Sequence, residues 1–287
     1  MADKLEYRSL VVEGWRLVVL PELWNAAAHR EILKHVRAQE RAKHPQTIAV
    51  DLPLANQHRE CFLKVFHGRG GWAAVKDVFR ESSGLRAWRQ GRALAAAGFM
   101  VPVAIAAGEQ RRARRLERAF ILTAQIDGLP VHLYLRSWTA GPPDSNRLRA
   151  KRNGLRRLAE LLRRFHRDGF VHGDLVASNI FVVPALGAAE QFYFMDNDRT
   201  RRYPRALPQS FWQRNLIQLN RMPLPGITLQ DRMRFFHAYF GSDRLTHAQR
   251  KLARRLERQT RRRRAECDAV DPSGSFRRLM RWVDSPR

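Results

Sequence analysis

The stretch GFVHGDLVASNIFVV, Gly169 to Val183, sets His172, Asp174 and Asn179 among apolar residues. A short apolar run, Ile180 to Val183, follows Asn179 directly. A second, Gln191 to Met195, ends directly before Asp196. If the two runs pair as an antiparallel hairpin across the connection PALGAAE, the start of the first lies beside the end of the second. Asn179 and Asp196 then meet, with Asp174 on the loop just before them. Carboxylate and amide oxygens gathered in this way suit Mg²⁺, which takes oxygen ligands and a phosphate partner. Asp174 is placed to accept a proton from a hydroxyl. A base, an amide and a carboxylate for metal, and a lysine that holds phosphates are the parts of phosphoryl transfer. Lys64, in CFLKVF, fits the last part. A period of two puts Phe62, Lys64 and Phe66 on one face of a strand. Two plainer readings compete: a polar turn between strands for the first stretch, and an edge lysine that snorkels to water for the second. His172 reads as a brace for the loop.

These side chains need elements to hold them. Leu155, Leu158, Leu162 and Phe165 make one apolar stripe in NRLRAKRNGLRRLAELLRRFHRDG, the helix leading into the loop, and Gly169 stops it. TIAVDL (Thr47 to Leu52) and CFLKVF read as strands of a hairpin joined by the polar connection PLANQHRE. Trp24 to Ala38 reads as a helix. Ser82 to Gly98 reads as another, with a serine start and a glycine stop. FILTAQI, Phe120 to Ile126, is a further strand, ended by Asp127-Gly128. GPPDS (Gly141 to Ser145) is a loop, and beyond Arg214 the chain is helical and basic. The order predicts a small β-rich lobe over residues 1–124, a hinge near Thr123 to Pro130, and a larger α-rich lobe over 125–287.

Across 287 residues, 53 Lys and Arg face 27 Asp and Glu, a formal net charge of +26. Such a field draws anions to the surface, and runs such as Arg111 to Arg115 and Arg261 to Arg264 suit phosphate oxygens. A solvated face is the plainer meaning of any single run. Apolar residues make up 44%, so the chain is globular rather than disordered. Two cysteines, Cys61 and Cys267, are too few for a disulfide scaffold and suit a reducing cytoplasm. MADKLEYRSL does not read as a signal peptide. The longest apolar stretch, Leu94 to Gly108, is too short to span a bilayer, so any membrane contact is expected to be peripheral.

With these residues in view, the chain resembles the protein-kinase-like superfamily, and within it the lipopolysaccharide core (Kdo/heptose) kinases of Gram-negative bacteria. The carriers, between about Leu33 and Phe240, are CFLKVF, SGLRAWRQGRAL, AFILTAQIDG, FVHGDLVASNIFV, FMDNDRTRR and FWQRNLIQLNR. The resemblance implies a two-lobed, α+β protein-kinase-like fold and ATP and Mg²⁺ as cofactors. By it Lys64 contacts the ATP phosphates, Asp174 is the catalytic base, and Asn179 and Asp196 bind Mg²⁺. Thr123, Gln125 and Ile126 face adenine. The glutamate that usually partners the lysine is replaced by Ala87, which leaves Glu81 as a substitute. No glycine-rich loop precedes Lys64, so Pro53 to His58 must cover ATP another way. DND replaces the usual metal triplet, and Asp198 either helps with metal or pairs with a nearby arginine, the second reading being slightly favoured. Gly173 stands where phosphorylation-switched protein kinases carry arginine, and no Ala-Pro-Glu follows, which favours a constitutive kinase.

The acceptor so implied is a sugar, heptose or Kdo, of the lipopolysaccharide core or lipid A-core glycolipid. The enzyme is expected at the cytoplasmic face of the inner membrane, held peripherally on its anionic surface. Arg199, Arg201, Arg202 and Arg205, just past Asp196, are placed to meet an anionic acceptor. Two alternatives stand beside this. One is a soluble small-molecule kinase of the aminoglycoside or choline type, which leaves the arginine excess unexplained. The other is a catalytically weak kinase fold that binds membrane or nucleic acid. Aromatic residues are not interleaved with the basic runs, which weighs against nucleic acid.

Overall fold

Six strands form in the first part of the chain. They are β1 (Arg8–Val12), β2 (Trp15–Val19), β3 (Gln46–Leu54), β4 (Gln57–His67), β5 (Ala104–Arg112) and β6 (Arg115–Ala124). They form one antiparallel sheet in the order β1-β2-β5-β6-β4-β3. The computed structural model describes residues 5–39, 45–55, 57–68, 70–137, 144–184, 189–203, 210–221 and 227–270. Helices α1 (Ala26–Ala38), α2 (Gly71–Val78) and α3 (Ser83–Ala96) belong with the sheet. Together with Asp196–Arg199 they make up the first of two units, which ends at Asp127. The sequence pattern draws its lobe boundary after Ala124.

In β4 the period of two sorts the side chains. Cys61, Leu63 and Val65 turn to a core that also takes Leu52, Phe120 and Leu122 from the sheet and Ile32 and Val36 from α1. Phe66 turns to the other face, where Leu85 and Ala87 of α3 pack with Ala107, Ala119 and Ile121. Gly84 lets α3 sit directly on β6, since a Cβ there would lie 2.3 Å from the Phe120 carbonyl oxygen. Ser82 caps α3 by accepting from the Leu85 N–H.

The second unit comprises Gly128–Met195 and the chain from Thr200 onward. Its strands are β7 (Leu129–Pro130), β8 (Phe170–Val171), β9 (Ile180–Val183), β10 (Gln191–Phe194) and β11 (Arg201–Arg202). Its helices are α4 (Val131–Ser137), α5 (Ser145–Arg167), α6 (Ser210–Leu219), α7 (Leu229–Phe240) and α8 (His247–Val270). The apolar stripe of α5 is buried as expected, with Leu162 and Phe165 fully enclosed. Phe165 stacks on Phe194 of β10 at 4.5 Å between ring centroids. A buried ion pair at 2.8 Å, Lys151 to Asp231, ties α5 to α7. β9 and β10 pair antiparallel with Ile180 opposite Phe194, as the hairpin reading requires. Of the connection PALGAAE, residues 185–188 lie outside the described residues, as do residues 141–143 of GPPDS.

The clearest departures from the sequence pattern lie in the first unit, where the strand read over Phe120 to Ile126 is β6, starting at Arg115 and ending at Ala124, and where α2 is not marked. The connection PLANQHRE is mostly strand, because the β3–β4 ladder runs out to the pair Leu54 and Gln57. β1, β2 and β5 carry no clear alternating pattern. β1 is largely exposed, and β5 begins with alanine and glycine, which are poor strand formers whose burial is set by their neighbours.

Candidate active site

In the first unit, the β4–β6 ladder places Lys64 opposite Ile121 and Phe62 opposite Thr123. Cross-strand partners share a face, so Lys64 and Thr123 project from the same side of the sheet. The Lys64 ammonium lies over the Phe66 ring, 5.1 Å from its centroid, and is ion-paired with the Asp196 carboxylate. Asp196 adopts a φ of +54°, a left-handed conformation that aspartate tolerates better than most residues. Such strain clusters at functional sites.

The neighbours of this pair differ from expectation. Among the described residues, the Asp198 carboxylate is not ion-paired with an arginine. Its carboxyl lies against that of Asp196, and burial, then the Asp196 charge, push it up to about 6. The arginine reaches the backbone instead, where Arg86 of α3 donates to the Asp198 carbonyl at 2.7 Å. Glu81 receives the Arg89 Nε at 2.9 Å. Among the described residues, the carboxylate ion-paired with Lys64 is that of Asp196. Thr123 ends β6 and donates to the Phe62 carbonyl at 3.5 Å. Gln125 and Ile126 follow the strand, the first exposed and the second half-buried.

In the second unit, the loop from β8 to β9 carries Asp174 and Asn179. His172 is fully buried. Its Nε2–H donates to the Met195 carbonyl at 2.9 Å, which leaves Nδ1 to accept the Asp174 backbone N–H at 3.2 Å. The histidine therefore braces the loop as a neutral imidazole. Asn179 donates through Nδ2 to the Asp174 carbonyl at 3.0 Å, so its oxygen is the atom it has to offer a ligand. The Met195 N–H donates to the Asn179 carbonyl at 2.9 Å, which closes the open end of the β9–β10 hairpin one residue before Asp196.

Two residues of α6 complete the bracing, and the sequence pattern does not mark them. Asn215, fully buried, accepts the His172 N–H at 3.0 Å and donates to the His172 carbonyl. It also accepts from His166 Nε2 at 3.2 Å. Gln218 donates to the Gly173 carbonyl at 3.2 Å and approaches Asp174 Oδ1 at 3.5 Å. Its own oxygen accepts the Leu175 N–H at 3.3 Å. The available signal was two amides one turn apart in FWQRNLIQLN, where a buried face calls for apolar residues.

The donor set suits a hard divalent cation. Within the first unit, Asp196 and Asp198 crowd two carboxyls together, a repulsion that a cation relieves. Among the described residues no group of three or more His, Cys, Asp and Glu could hold a metal. A cation here would therefore rely on phosphate oxygens and water as well, which is how Mg²⁺ is commonly held.

The arginines divide into committed and exposed. Arg202, on β11, donates to the Asp168 carbonyl at 3.3 Å and lies over the Phe170 ring. Arg199 and Arg201 are exposed, and Arg205 lies outside the described residues. In the run Arg261 to Arg264, Arg261 bonds Glu257, Arg262 and Arg263 bond Glu266, and Arg264 donates to two backbone carbonyls. That run is a partnered helix face rather than an open anion site.

A family model described as Lipopolysaccharide kinase (Kdo/WaaP) family matches residues 54–239. No curated protein sequence matches the chain. The solved structure of WaaP in complex with acyl carrier protein is 21% identical over 78% of this chain and 86% of that one, with a TM-score of 0.56. That likeness shows the fold to be protein-kinase-like and α+β. Two further structures match at lower scores. The Rio2 kinase of Chaetomium thermophilum is 16% identical, over 91% of this chain and 83% of that one, at a TM-score of 0.36. The PknI kinase domain of Mycobacterium tuberculosis is 11% identical, over 86% and 79%, at 0.34. Nothing below rests on these two.

Proposed function

The chain belongs to the lipopolysaccharide kinase (Kdo/WaaP) family, and from that premise we propose that it transfers the γ-phosphate of ATP to a heptose or Kdo hydroxyl of the lipopolysaccharide core. Membership of a kinase family makes ATP the expected donor. The observation that carries the proposal is the ion pair of Lys64 with Asp196, with Asp198 beside it. Opposite charges held together in this way are what nucleotide phosphates and a cation would divide between them, phosphates to the lysine and cation to the carboxylates.

The roles follow from the chemistry of each group. Lys64 holds phosphate oxygens. Asp196 and Asn179 are the residues that would hold Mg²⁺, which when bound would neutralise charge on the phosphates. Thr123, Gln125 and Ile126 border the adenine. Asp174, kept in place by His172 and Gln218, takes the proton of the acceptor hydroxyl as that oxygen bonds to the γ-phosphorus. The bond from phosphorus to the β-γ bridging oxygen breaks, and ADP leaves. Arg199 and Arg201 meet the anionic acceptor, with Arg202 fixed beside them. The acceptor is lipid-linked, so the reaction is assigned to the cytoplasmic face of the inner membrane. Peripheral attachment there is in keeping with the charge of +26. No helix among the described residues is long and apolar enough to cross a membrane.

A second partner is proposed on a separate observation. The second unit holds a cavity of about 1080 Å³, lined by apolar residues such as Leu135, Leu155, Leu158, Leu216 and Phe236, with Arg254 among its cations. Its lining suits a fatty acyl chain. The similar WaaP structure is a complex with acyl carrier protein, and we infer an acyl carrier protein as a partner here. Native mass spectrometry of the two proteins mixed, with acylated and unacylated carrier, tests this. A complex that forms equally well without the acyl chain would contradict the role of the cavity.

The function itself is tested by mass spectrometry of lipopolysaccharide from a strain lacking the gene. Loss of one phosphate from the core, restored by the gene, is expected. An unchanged core would contradict the proposal.

A further inference from the structure

Helix α2 is amphipathic in the inverted sense. In GWAAVKDVFR, Trp72, Val75 and Phe79 are spaced by three and four residues and so share one helical face. That face points to water. Trp72 is 74% exposed, Val75 46% and Phe79 83%. The polar Asp77 is buried instead, at 8%. A soluble surface rarely leaves two large aromatic side chains and a valine together in water unless something covers them.

The surroundings say what the cover is. Arg111 of β5 grips the Glu109 carboxylate with Nε and one terminal nitrogen, at 3.0 and 3.1 Å. It donates to the Asp77 carbonyl at 2.9 Å, the Arg80 carbonyl at 2.8 Å and the Arg114 carbonyl at 3.1 Å. This one guanidinium locks the C-terminal end of α2 against the tip of the β5–β6 hairpin. The tip carries Arg112, Arg114 and Arg115, all exposed, and α2 and its end add exposed Lys76 and Arg80. The nearby acids do not offset them: Glu109 is consumed by Arg111, Glu81 by Arg89, and Asp77 is buried. Glu117, half-buried on β6, is the remaining acid of that hairpin.

We propose that α2 and the β5–β6 tip form a docking face for an anionic lipid bilayer, a surface for the membrane association inferred above and resting on that inference. Trp72 and Phe79 enter the interface between headgroups and acyl chains, where aromatic rings and apolar helix faces settle. Lys76, Arg80, Arg112 and Arg114 meet lipid phosphates. The fixed arginine clamp presents both parts as one surface, so little ordering is required on binding.

The test is flotation of the full chain with vesicles of phosphatidylethanolamine and phosphatidylglycerol, against vesicles of phosphatidylcholine. The wild type is expected to prefer the anionic vesicles. Trp72→Ser with Phe79→Ser, and separately Arg112→Glu with Arg114→Glu, should each lower that binding by about tenfold or more. These side chains are exposed, so thermal unfolding should not change. Phosphate transfer to a detergent-dispersed acceptor, measured alongside, should match the wild type in both variants. Undiminished vesicle binding by the aromatic variant would overturn the proposal. So would a wild type that ignores anionic vesicles, which would give the face to a protein partner. Vesicle binding that behaves as expected, with no transfer by the wild type, would remove the kinase reading and leave the docking face standing.

Discussion

Lys64 illustrates how a single side chain can be read twice. Spacing alone permits an edge lysine, yet the structure ion-pairs it with Asp196 and sets it over Phe66. The ion pair is partly exposed, so its share of stability is below about 1 kcal/mol. Its proposed share of catalysis is larger, since removing one preorganised charge from a phosphoryl-transfer site costs about 10²–10³-fold in turnover. Lys64→Ala should therefore lower turnover by that factor and leave the denaturation midpoint nearly unchanged. Steady-state kinetics beside urea unfolding would check both halves. Asp198 teaches the opposite lesson. An arginine-rich neighbourhood suggested an ion pair, but burial beside Asp196 decided its environment, and no local pattern shows which side chains a fold will bury together.

Among the elements, the segment from α5 to β10 was the most legible. A helix with a four-residue apolar stripe, a glycine stop and two short apolar runs flanking a loop were all present in the pattern, and each has its counterpart in α5, Gly169 and β9–β10. Gly169 takes a φ of +84°, and a Cβ there would lie 2.3 Å from the Tyr203 carbonyl oxygen, which is why glycine stands at that stop. α6 was less legible, because Asn215 and Gln218 act through atoms of a loop far away in sequence. Asn215→Ala would orphan the buried N–H and carbonyl of His172, at a cost of about 2–4 kcal/mol. Urea unfolding should show that loss. The milder Gln218→Ala should keep the fold and lower turnover, because it loosens Gly173 and Asp174. His166 belongs to the same network. It donates to Asn215, accepts from the Tyr239 hydroxyl at 2.8 Å, and is pushed by burial down to about 4. Between that value and its ordinary 6.5 the unfolded chain binds the extra proton. Stability is thus whole above about pH 6.5 and falls as pH drops toward 4, by up to about 3 kcal/mol. Unfolding measured across that range should show the slope, and His166→Gln should flatten it.

At the scale of the whole molecule, charge and fold answer different questions. The excess of +26 draws anions to the surface but does not say where one would bind. The structure narrows this by showing that Arg111, Arg202 and the run from Arg261 to Arg264 are engaged within the protein. Exposed cations remain at Arg199, Arg201 and the β5–β6 tip. The fold class was legible because strand-rich and helix-rich segments follow one another along the chain. β1 and β5 were not, because the side chains of β1 are largely exposed and those that open β5 are small and draw their burial from neighbouring strands, and β2 is short and buried almost throughout, without alternation. The central claim is that Asp174 serves a phosphoryl transfer from ATP to the lipopolysaccharide core. The most direct measurement is the mass of purified core lipopolysaccharide after incubation with the protein, ATP and Mg²⁺, for the wild type and for Asp174→Asn. Asparagine keeps the shape but accepts the proton poorly, and general-base help is worth about 10²–10⁴-fold. The wild type should add one phosphate, and Asp174→Asn should bind ATP, unfold at the same midpoint and transfer slower by about that factor. Transfer at the wild-type rate by Asp174→Asn, or none by the wild type, would contradict the account.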